Sequence, residues 1–405
     1  MQLRTQGVLS KIRSYALPLV IVSVGVLGVP SPLSIASDWT SPLSDDWKAA
    51  AEPMPVGPID GRDFLAPDAF QKSGQGQWLS DIRRTDFAFD ELIYSWSVRL
   101  PEGRGFRLYL KAGFAGGDST PWIYAGYWGE VNQVEGRESP RFEQGRLAMD
   151  QLLLNRKART YQFKLVSEGP KPLSLKPGLH VVYTDNRPRQ SVWRKYARQT
   201  PGKRLPAKVF DLPLRAQRDT KGKYLSGRCQ SAALASAMEY LGKAVPLEEI
   251  ISYTYDPEYS YPGIWPRTIG AAIEHGFDAY IDRFRDWDAV RAALAENKVI
   301  LCSILMPKEG DYINPPYSSM TGHIVTLNGV TDDGRVVVTD SALVRSGRGY
   351  QCQWLEQDFE KIWMGTKGGV GMVICPPEGF QEKVVEDLPE FPDHRAIRQA
   401  RQKSS

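Results

Sequence analysis

A cysteine, a histidine and an aspartate occur in an order that suits thiol chemistry. Cys229 precedes a helix-forming run, His323 opens an apolar strand after a small polar loop, and Asp340 ends the next strand. In a thiol hydrolase the cysteine is the nucleophile, the histidine removes its proton and the acid orients the histidine. The order and local context of these residues therefore predict cleavage of a peptide or amide bond, with no cofactor and no metal ion.

The surroundings of Cys229 favour a reactive thiol over a buried structural one. The start of a helix presents unpaired N–H groups and a partial positive charge, which stabilise a thiolate. Residues 226–230 are polar, whereas Cys302 and Cys375 lie in apolar runs that are typical of small buried side chains. We therefore expect Cys229 to be the activated thiol of this chain.

His323 and Asp340 are expected to meet at the open end of a β-hairpin. The turn Asp332-Asp333-Gly334 separates their two strands, so antiparallel pairing brings the two side chains together. Asp340 then accepts the imidazole Nδ1–H and holds the tautomer that takes a proton from sulfur. A simple turn aspartate is the alternative interpretation of Asp340.

Gln217 is the candidate side-chain donor to the oxyanion. Amide hydrolysis passes through a tetrahedral intermediate whose negatively charged oxygen is stabilised by N–H donors. Gln217 lies twelve residues before Cys229. A loop glutamine without a role is the alternative, and the position upstream of the cysteine helix favours the donor.

These four residues fall in the segment 208–376, which we predict to be an α+β domain with helices first and an antiparallel sheet second. The predicted helices are Ser231–Leu241, Pro246–Tyr253, Trp265–His275, a helix capped by Asp286, and Glu356–Met364. The predicted strands are Val299–Leu305, His323–Asn328, Val336–Thr339, Tyr350–Trp354 and Val370–Cys375.

Residues 81–186 predict a separate all-β sandwich, because short aromatic and β-branched runs alternate with Gly, Pro and Asn turns. Trp96, Trp122 and Trp128 fit core positions, and a sugar-stacking platform is the alternative. Around this domain we predict an extended lead-in (37–80), a basic, proline-containing linker (187–207) and a flexible tail (377–405).

Charge excludes several classes of partner. The chain has 405 residues, is 42% hydrophobic and carries a formal charge of +4. Residues 1–36 contain three basic side chains and no acid, so the remainder is close to neutral. A near-neutral protein has no electrostatic affinity for nucleic acid or an anionic membrane.

Residues 1–36 predict a signal peptide. A basic start precedes an apolar run from Ala16 to Pro30, and Ser34-Ile35-Ala36 is a small-x-small cleavage site. Cleavage near Ala36–Ser37 would give a secreted or periplasmic protein without stable membrane insertion; an uncleaved anchor is the alternative. In an exported protein Cys302, Cys352 and Cys375 allow either one disulfide or three reduced thiols.

Several motifs together resemble the papain-like cysteine peptidases, in the group related to bacteriocin-leader-processing (double-glycine) peptidases. The resemblance rests on Cys229…Gly242, Tyr255-Asp256-Pro257, Gly263-Ile264-Trp265-Pro266, Gly322-His323-Ile324-Val325 and Asp333 to Ala342. The resemblance covers Phe87 to Pro376. As a whole the chain is similar to exported members of the group, which have an N-terminal β-sandwich that begins near a segment like Phe89 to Trp96. The resemblance implies Cys229 as nucleophile, His323 as base, Asp340 as orienting acid and Gln217 as oxyanion donor.

Three positions depart from the pattern of that family. Gln230-Ser231-Ala232 stands where the family usually has Ser-Pro-Thr, Ser341 stands where it has proline, and Arg267 replaces an apolar residue. None of them removes a catalytic group, but they leave substrate preference open. The double-glycine specificity is not transferred, because the chain has no transporter spans and no nucleotide-binding domain.

The predicted function is an exported thiol hydrolase that acts on a peptide or amide substrate. One alternative is a non-catalytic envelope or carbohydrate-binding protein with a relic papain-like domain, and another is a cell-wall amidase. Retention of Cys229, His323, Asp340 and Gln217 favours the enzyme. The sequence does not determine the substrate or the oligomeric state.

Overall fold

The computed structural model describes residues 60–136, 139–186, 205–344 and 347–404. The predicted signal peptide, the first part of the lead-in and most of the predicted linker lie outside the described residues. We refer to residues 60–186 as the N-terminal region and to residues 205–404 as the C-terminal region.

The N-terminal region is an antiparallel sheet of ten strands. Its strands are β1 (Asp60–Leu65), β2 (Phe70–Gly74), β3 (Gln77–Ser80), β4 (Arg83–Ser97), β5 (Gly105–Phe114), β6 (Ile123–Gly129), β7 (Arg141–Phe142), β8 (Gly145–Ala148), β9 (Gln151–Glu168) and β10 (Gly178–Thr184). The main order is β1-β10-β4-β9-β3-β2, while β5 joins β9 to β6 and β8 joins β9 to β7. The prediction of an all-β domain is confirmed, whereas its description as a sandwich of two sheets is not.

The alternation of core-facing and solvent-facing residues along the strands explains how this sheet forms its core. Every second residue of β5 from Phe106 to Ala112 is buried, as expected for a strand with one face on the core. Trp96 and Trp128 are each 2% exposed, so they are core residues and not a stacking platform, and Trp122 is half-buried. Strands β1, β2 and β3 occupy residues that the sequence analysis assigned to the extended lead-in.

The C-terminal region combines helices with a seven-stranded antiparallel sheet. Its elements are β11 (Lys208–Val209), α1 (Cys229–Tyr240), α2 (Leu247–Thr254), α3 (Trp265–Glu274), β12 (Ala279–Arg283), α4 (Trp287–Ala295), β13 (Val299–Met306), β14 (Met320–Val330), β15 (Arg335–Thr339), β16 (Cys352–Leu355), α5 (Glu356–Glu360), a π-helical turn (Lys361–Gly365), β17 (Val370–Ile374) and α6 (His394–Ser404). The sheet order is β12-β17-β13-β14-β15-β16, with β11 on β14. The predicted α+β class is confirmed. Among the described residues no helix is long and apolar enough to cross a membrane.

Helix α1 lies in the middle of the C-terminal region. Nearly all of its residues are buried, and its alanines allow close packing against β14. The Thr326 hydroxyl of β14 donates a hydrogen bond to the Ala233 carbonyl oxygen at 3.1 Å. This packing carries the start of α1, and with it Cys229, toward the strand that contains His323.

The two regions share a buried, polar contact surface. Edge strand β12, which the sequence analysis did not predict, runs beside β4, where the Ile281 N–H donates to Ser95 Oγ at 3.3 Å. Among the described residues, four ion pairs cross between the regions: Arg107 with Glu258, Asp60 with Arg285, Arg62 with Asp282, and Glu91 with Arg283. The last pair is fully buried, and breaking such a pair strands a charge in the interior, at a cost of about 3–5 kcal/mol.

The segment after residue 376 is not the flexible tail that the sequence predicts. The Asp211 N–H donates to the Lys383 carbonyl at 2.9 Å, and the Phe380 ring packs against Tyr240. Further on, the buried His394 donates from Nε2 to the Gln353 carbonyl at 2.8 Å. These contacts attach the segment to the C-terminal region. The sequence of the segment has no apolar periodicity because the contacts are made by single side chains and by main-chain groups.

Candidate active site

Cys229 is the first residue of helix α1. Gly227 has a φ of +72°, a conformation that costs glycine little and lets the chain turn sharply into the helix. The side chain of Cys229 is half-buried, and the first turn of α1 contains no acidic residue. The thiol therefore lies at the positive end of a buried helix, partly accessible from solvent.

His323 and Asp340 meet as the hairpin prediction requires, but through the other ring nitrogen. Strands β14 and β15 pair in antiparallel register, and His323 Nε2 lies 2.7 Å from Asp340 Oδ1. The expectation that Asp340 accepts from Nδ1 is wrong, because the acid approaches the far side of the ring. An Nε2–H donated to Asp340 leaves Nδ1 as the nitrogen available to the Cys229 thiol.

Asp340 is fully buried, and its carboxylate accepts hydrogen bonds from several neighbours besides His323. Oδ1 also accepts from the Ala342 N–H at 2.9 Å, and Oδ2 accepts from the Tyr317 hydroxyl at 2.6 Å. Burial alone raises the pKa of this carboxyl, but the charge of His323 and these hydrogen bonds outweigh it and lower the pKa. The carboxylate is thus held ionised in the interior.

The pKa shifts of Cys229 and His323 favour an ion pair. Burial raises the pKa of the Cys229 thiol, but the charge and hydrogen bond of His323, with the main-chain N–H groups of Ile324 and Gln230, bring it below its ordinary value. Burial lowers the pKa of His323, but the charges of Asp340 and Cys229 raise it well above its ordinary value. Both shifts act in the direction of thiolate and imidazolium.

Gln217 lies beside the start of α1, where its amide is held at both ends. Its Oε1 accepts from the Arg228 N–H at 2.8 Å, and its Nε2 donates to Ser341 Oγ at 3.1 Å. Gln217 and Ser341 are both buried. Arg228 immediately precedes Cys229 and Ser341 immediately follows Asp340, so the glutamine connects the thiol side of the site with the acid side.

Two residues of this site were missed by the sequence analysis. Tyr317 lies in the loop before β14, and nothing in its local pattern indicates a contact with Asp340. Ser341 was noted only as a departure from the family proline; a polar residue there was the available signal for a hydrogen-bond partner. The fold brings all four predicted site residues into one cluster: Cys229, His323, Asp340 and Gln217.

The other cysteines are unlike Cys229. All four cysteines are free, which excludes the disulfide alternative in this structure. Burial raises the pKa of Cys302 and Cys352 well above the ordinary value and also raises that of Cys375. Among the described residues no group of three or more His, Cys, Asp and Glu side chains is placed to hold a metal ion.

Two family models match this chain, one over each region. Residues 209–370 match the peptidase C39-like family, and residues 37–182 match the peptidase C39 N-terminal domain. The chain therefore contains a peptidase C39-like domain, preceded by a peptidase C39 N-terminal domain. This C39-like chain is therefore a cysteine peptidase-type hydrolase. No curated protein matches the sequence.

Several solved structures are similar to part of this C39-like peptidase. A double-glycine-motif protease from an AMS/PCAT transporter, crystallised with the leader peptide, is 15% identical with a TM-score of 0.28, over 42% of this chain and 95% of that one. A C39-like peptidase from Bacillus anthracis is 12% identical with a TM-score of 0.32, over 42% and 98%. The peptidase domain of Streptococcus ComA is 12% identical with a TM-score of 0.27, over 38% and 96%.

Proposed function

We propose that this C39-like chain is an exported cysteine peptidase in which Cys229 is the nucleophile, His323 the general base and acid, Asp340 the orienting acid and Gln217 the oxyanion donor. The contact of His323 Nε2 with Asp340 at 2.7 Å carries the proposal, because it directs the free Nδ1 toward the thiol at the start of α1.

The reaction follows from the ion pair. The Cys229 thiolate attacks the carbonyl carbon of the scissile amide, forming a C–S bond and a tetrahedral oxyanion. His323 gives its Nδ1 proton to the leaving nitrogen as the C–N bond breaks, which leaves a thioester on Cys229. His323 then removes a proton from water, whose oxygen attacks the thioester; the acid product leaves and the proton returns to the Cys229–His323 pair.

The oxyanion is stabilised by N–H groups on one side of the thiol. The Gln217 amide nitrogen carries two hydrogens; one is used by Ser341, and the other is available to the substrate oxygen. Main-chain N–H groups at the start of α1 supply the second donor. Because Gln217 is held at both ends of its amide, it does not have to reorganise as the charge develops.

Asp340 holds the ring without reacting. Its hydrogen bond fixes the His323 tautomer, and its negative charge stabilises the imidazolium. Tyr317 occupies the second carboxylate oxygen, which limits Asp340 to one orientation. The substrate class proposed here is a peptide, and the residue preference around the scissile bond is left open because three positions of the family pattern differ in this chain.

Export is proposed from the sequence. The basic start, the apolar run and the small-x-small site near Ala36–Ser37 support a cleaved signal peptide. The match to the peptidase C39 N-terminal domain begins at residue 37, next to that site, which is consistent with removal of the preceding residues. N-terminal sequencing of protein from the native host should return a start near Ser37; a start at Met1 would contradict export by cleavage.

The catalytic proposal is tested without knowledge of the natural substrate. Iodoacetamide should alkylate Cys229 near neutral pH much faster than Cys302, Cys352 or Cys375, whose pKa values are raised. His323→Ala should abolish this preference, and Cys229→Ala should abolish hydrolysis of a fluorogenic peptide library with an unchanged melting temperature. Equal alkylation of all four thiols in the native protein would favour a non-catalytic binding role instead.

A further inference from the structure

Helix α3 begins on a carboxylate that comes from the N-terminal region. Asp150, between β8 and β9, accepts a hydrogen bond from the Trp265 N–H at 2.7 Å and is 2% exposed. Trp265 is the first residue of α3, and the preceding residue, Ile264, has no side-chain oxygen to cap the helix. Asp150 therefore supplies from 115 residues away the acceptor that a helix usually finds at its own N-cap.

The N-terminal region also contacts the middle and the end of α3. A Cβ atom added at Gly270 would lie 2.6 Å from the Trp128 ring and 2.8 Å from Trp96 Nε1, so the absence of a side chain allows these rings to approach. At the end of the helix, Glu274 accepts from Trp128 Nε1 at 3.2 Å and from the Leu100 N–H at 3.2 Å. Helix α3 is thus held along its whole length by the N-terminal region.

The start of α3 is also bound to the residue that follows the candidate nucleophile. Gln230 is 1% exposed, and its Nε2 donates to the Ile264 carbonyl oxygen at 2.9 Å and to Thr268 Oγ1. The Ile264 carbonyl and the Trp265 N–H belong to one peptide group. That single peptide group therefore donates to Asp150 on one side and accepts from Gln230 on the other.

We propose that Asp150 is a positioning residue for Cys229, acting through the Ile264–Trp265 peptide group and Gln230. The proposal rests on the proposed role of Cys229 and adds to it that the N-terminal region is part of the working enzyme. A rigid planar peptide transmits a displacement of one partner to the other, and Gln230 is adjacent to Cys229 in the chain. Loss of the Asp150 contact shifts the thiol relative to His323, and small displacements of reacting groups reduce rates steeply.

The burial of Asp150 supports a dedicated role. Burial raises the pKa of this carboxyl to about 7, against the opposing effects of the Trp265 N–H and the charge of Lys367. An interior carboxylate is destabilising unless it is bound, so an apolar or amide side chain serves a purely structural contact at lower cost. Retention of an acid here fits a requirement for a strong acceptor at the start of α3.

The test compares Asp150→Ala and Asp150→Asn with Asp60→Ala in the full chain. Asp60 is a matched control, because it is another buried carboxylate that crosses between the regions, to Arg285, without contact to α3. Asp150→Ala should lower the second-order rate constant for iodoacetamide at Cys229, and kcat on the fluorogenic peptides, by at least about tenfold with little change in KM. Asp150→Asn should recover part of both and stay below the wild type, since an amide oxygen also accepts from the Trp265 N–H but is a weaker acceptor than a carboxylate. Asp60→Ala should lower the melting temperature and leave the alkylation rate unchanged.

The proposal would be overturned if iodoacetamide alkylated Cys229 in Asp150→Ala at the wild-type rate. It would also be overturned if Asp60→Ala slowed the alkylation of Cys229 as much as Asp150→Ala does. If Asp150→Ala does not fold, Gln230→Met decides it, because methionine has a similar length and no donor. This variant should slow alkylation to a similar extent, and a wild-type rate would count against the route through Gln230. The proposed catalytic function fails separately, when wild-type Cys229 itself shows no enhanced alkylation.

Discussion

Gln217 Nε2 lies 3.1 Å from Ser341 Oγ, so the residue after Asp340 holds the candidate oxyanion donor. Gln217→Ala should lower kcat roughly 100-fold, the usual effect of losing one oxyanion donor. Ser341→Ala should have a smaller effect in the same direction, because the amide stays in place through Arg228 and loses only one restraint. Both changes should appear in kcat more than in KM. A larger loss in Ser341→Ala than in Gln217→Ala would contradict this assignment.

The pH dependence of thiol reactivity should reflect the Cys229–His323 pair. The pKa of Cys229 is lowered, so its alkylation should begin at a pH below the ordinary cysteine value. His323→Ala removes the charge that lowers this pKa and should move the alkylation curve to higher pH. The measurement is the rate of iodoacetamide incorporation at Cys229 as a function of pH, with Cys302 as the internal control. Superimposable curves for wild type and His323→Ala would exclude the pair.

The Tyr317 hydroxyl should contribute measurably to stability through Asp340. Tyr317→Phe removes a hydrogen bond to a buried carboxylate, and we expect a loss of about 1.5–3 kcal/mol in the free energy of unfolding. Tyr350→Phe is the control, since Tyr350 donates to Asp211 at an exposed position and its loss should change stability little. Urea denaturation of the three proteins gives the comparison. Equal stability of the two variants would argue against a buried role for the Tyr317–Asp340 bond.

The Asp340–His323 pair should stabilise the fold over a defined pH range. The pKa of Asp340 is lowered, so its contribution is present above the unfolded value of 3.8 and is lost as the pH falls through its folded pKa. The pKa of His323 is raised, so its contribution is complete below the unfolded value of 6.5 and is lost as the pH rises through its folded pKa. Asp340→Asn should therefore lower the melting temperature most between these two unfolded values. If the melting temperature of Asp340→Asn fell below that of the wild type only above this pH range, the result would contradict the predicted pH dependence.

The domain boundary remains a prediction that limited proteolysis can check. Residues 187–207 are basic and contain three prolines, so we expect trypsin to cut there first and the two fragments to remain associated. The buried Glu91–Arg283 pair and the contacts of α3 provide the reason for association. Gel filtration after cleavage should give one peak containing both fragments. Arg283→Ala should weaken the association of the fragments, so that part of the cleaved protein separates. Separation of the wild-type fragments would contradict the interface described above.

The departures from the family pattern acquire physical roles in the structure. Gln230 binds the start of α3, Ser341 binds Gln217, and Arg267 forms a buried ion pair with Asp256 while its guanidinium lies over the Tyr127 ring. One of these contacts, that of Arg267 with Tyr127, reaches the N-terminal region. The sequence indicated that the positions are unusual, but their partners are from 11 to more than a hundred residues away and share no local pattern with them.

The sequence by itself indicated the class of most elements of the C-terminal region and the candidate reactive groups. Hydrophobic period, caps and turns predicted α1 to α4 and the strands β13 to β17, because these signals act between near neighbours in the chain. The context of Cys229, His323 and Asp340 indicated thiol chemistry for the same reason.

Only the tertiary structure decided which imidazole nitrogen faces Asp340, that Tyr317 completes the site, and that Asp150 begins α3. It also decided that residues 377–404 pack on the C-terminal region, through isolated contacts such as that of His394. Each of these relationships joins groups that are distant in the chain through one hydrogen bond. A single hydrogen bond leaves no periodic trace in a sequence, and its geometry is set by the packing of whole helices and strands.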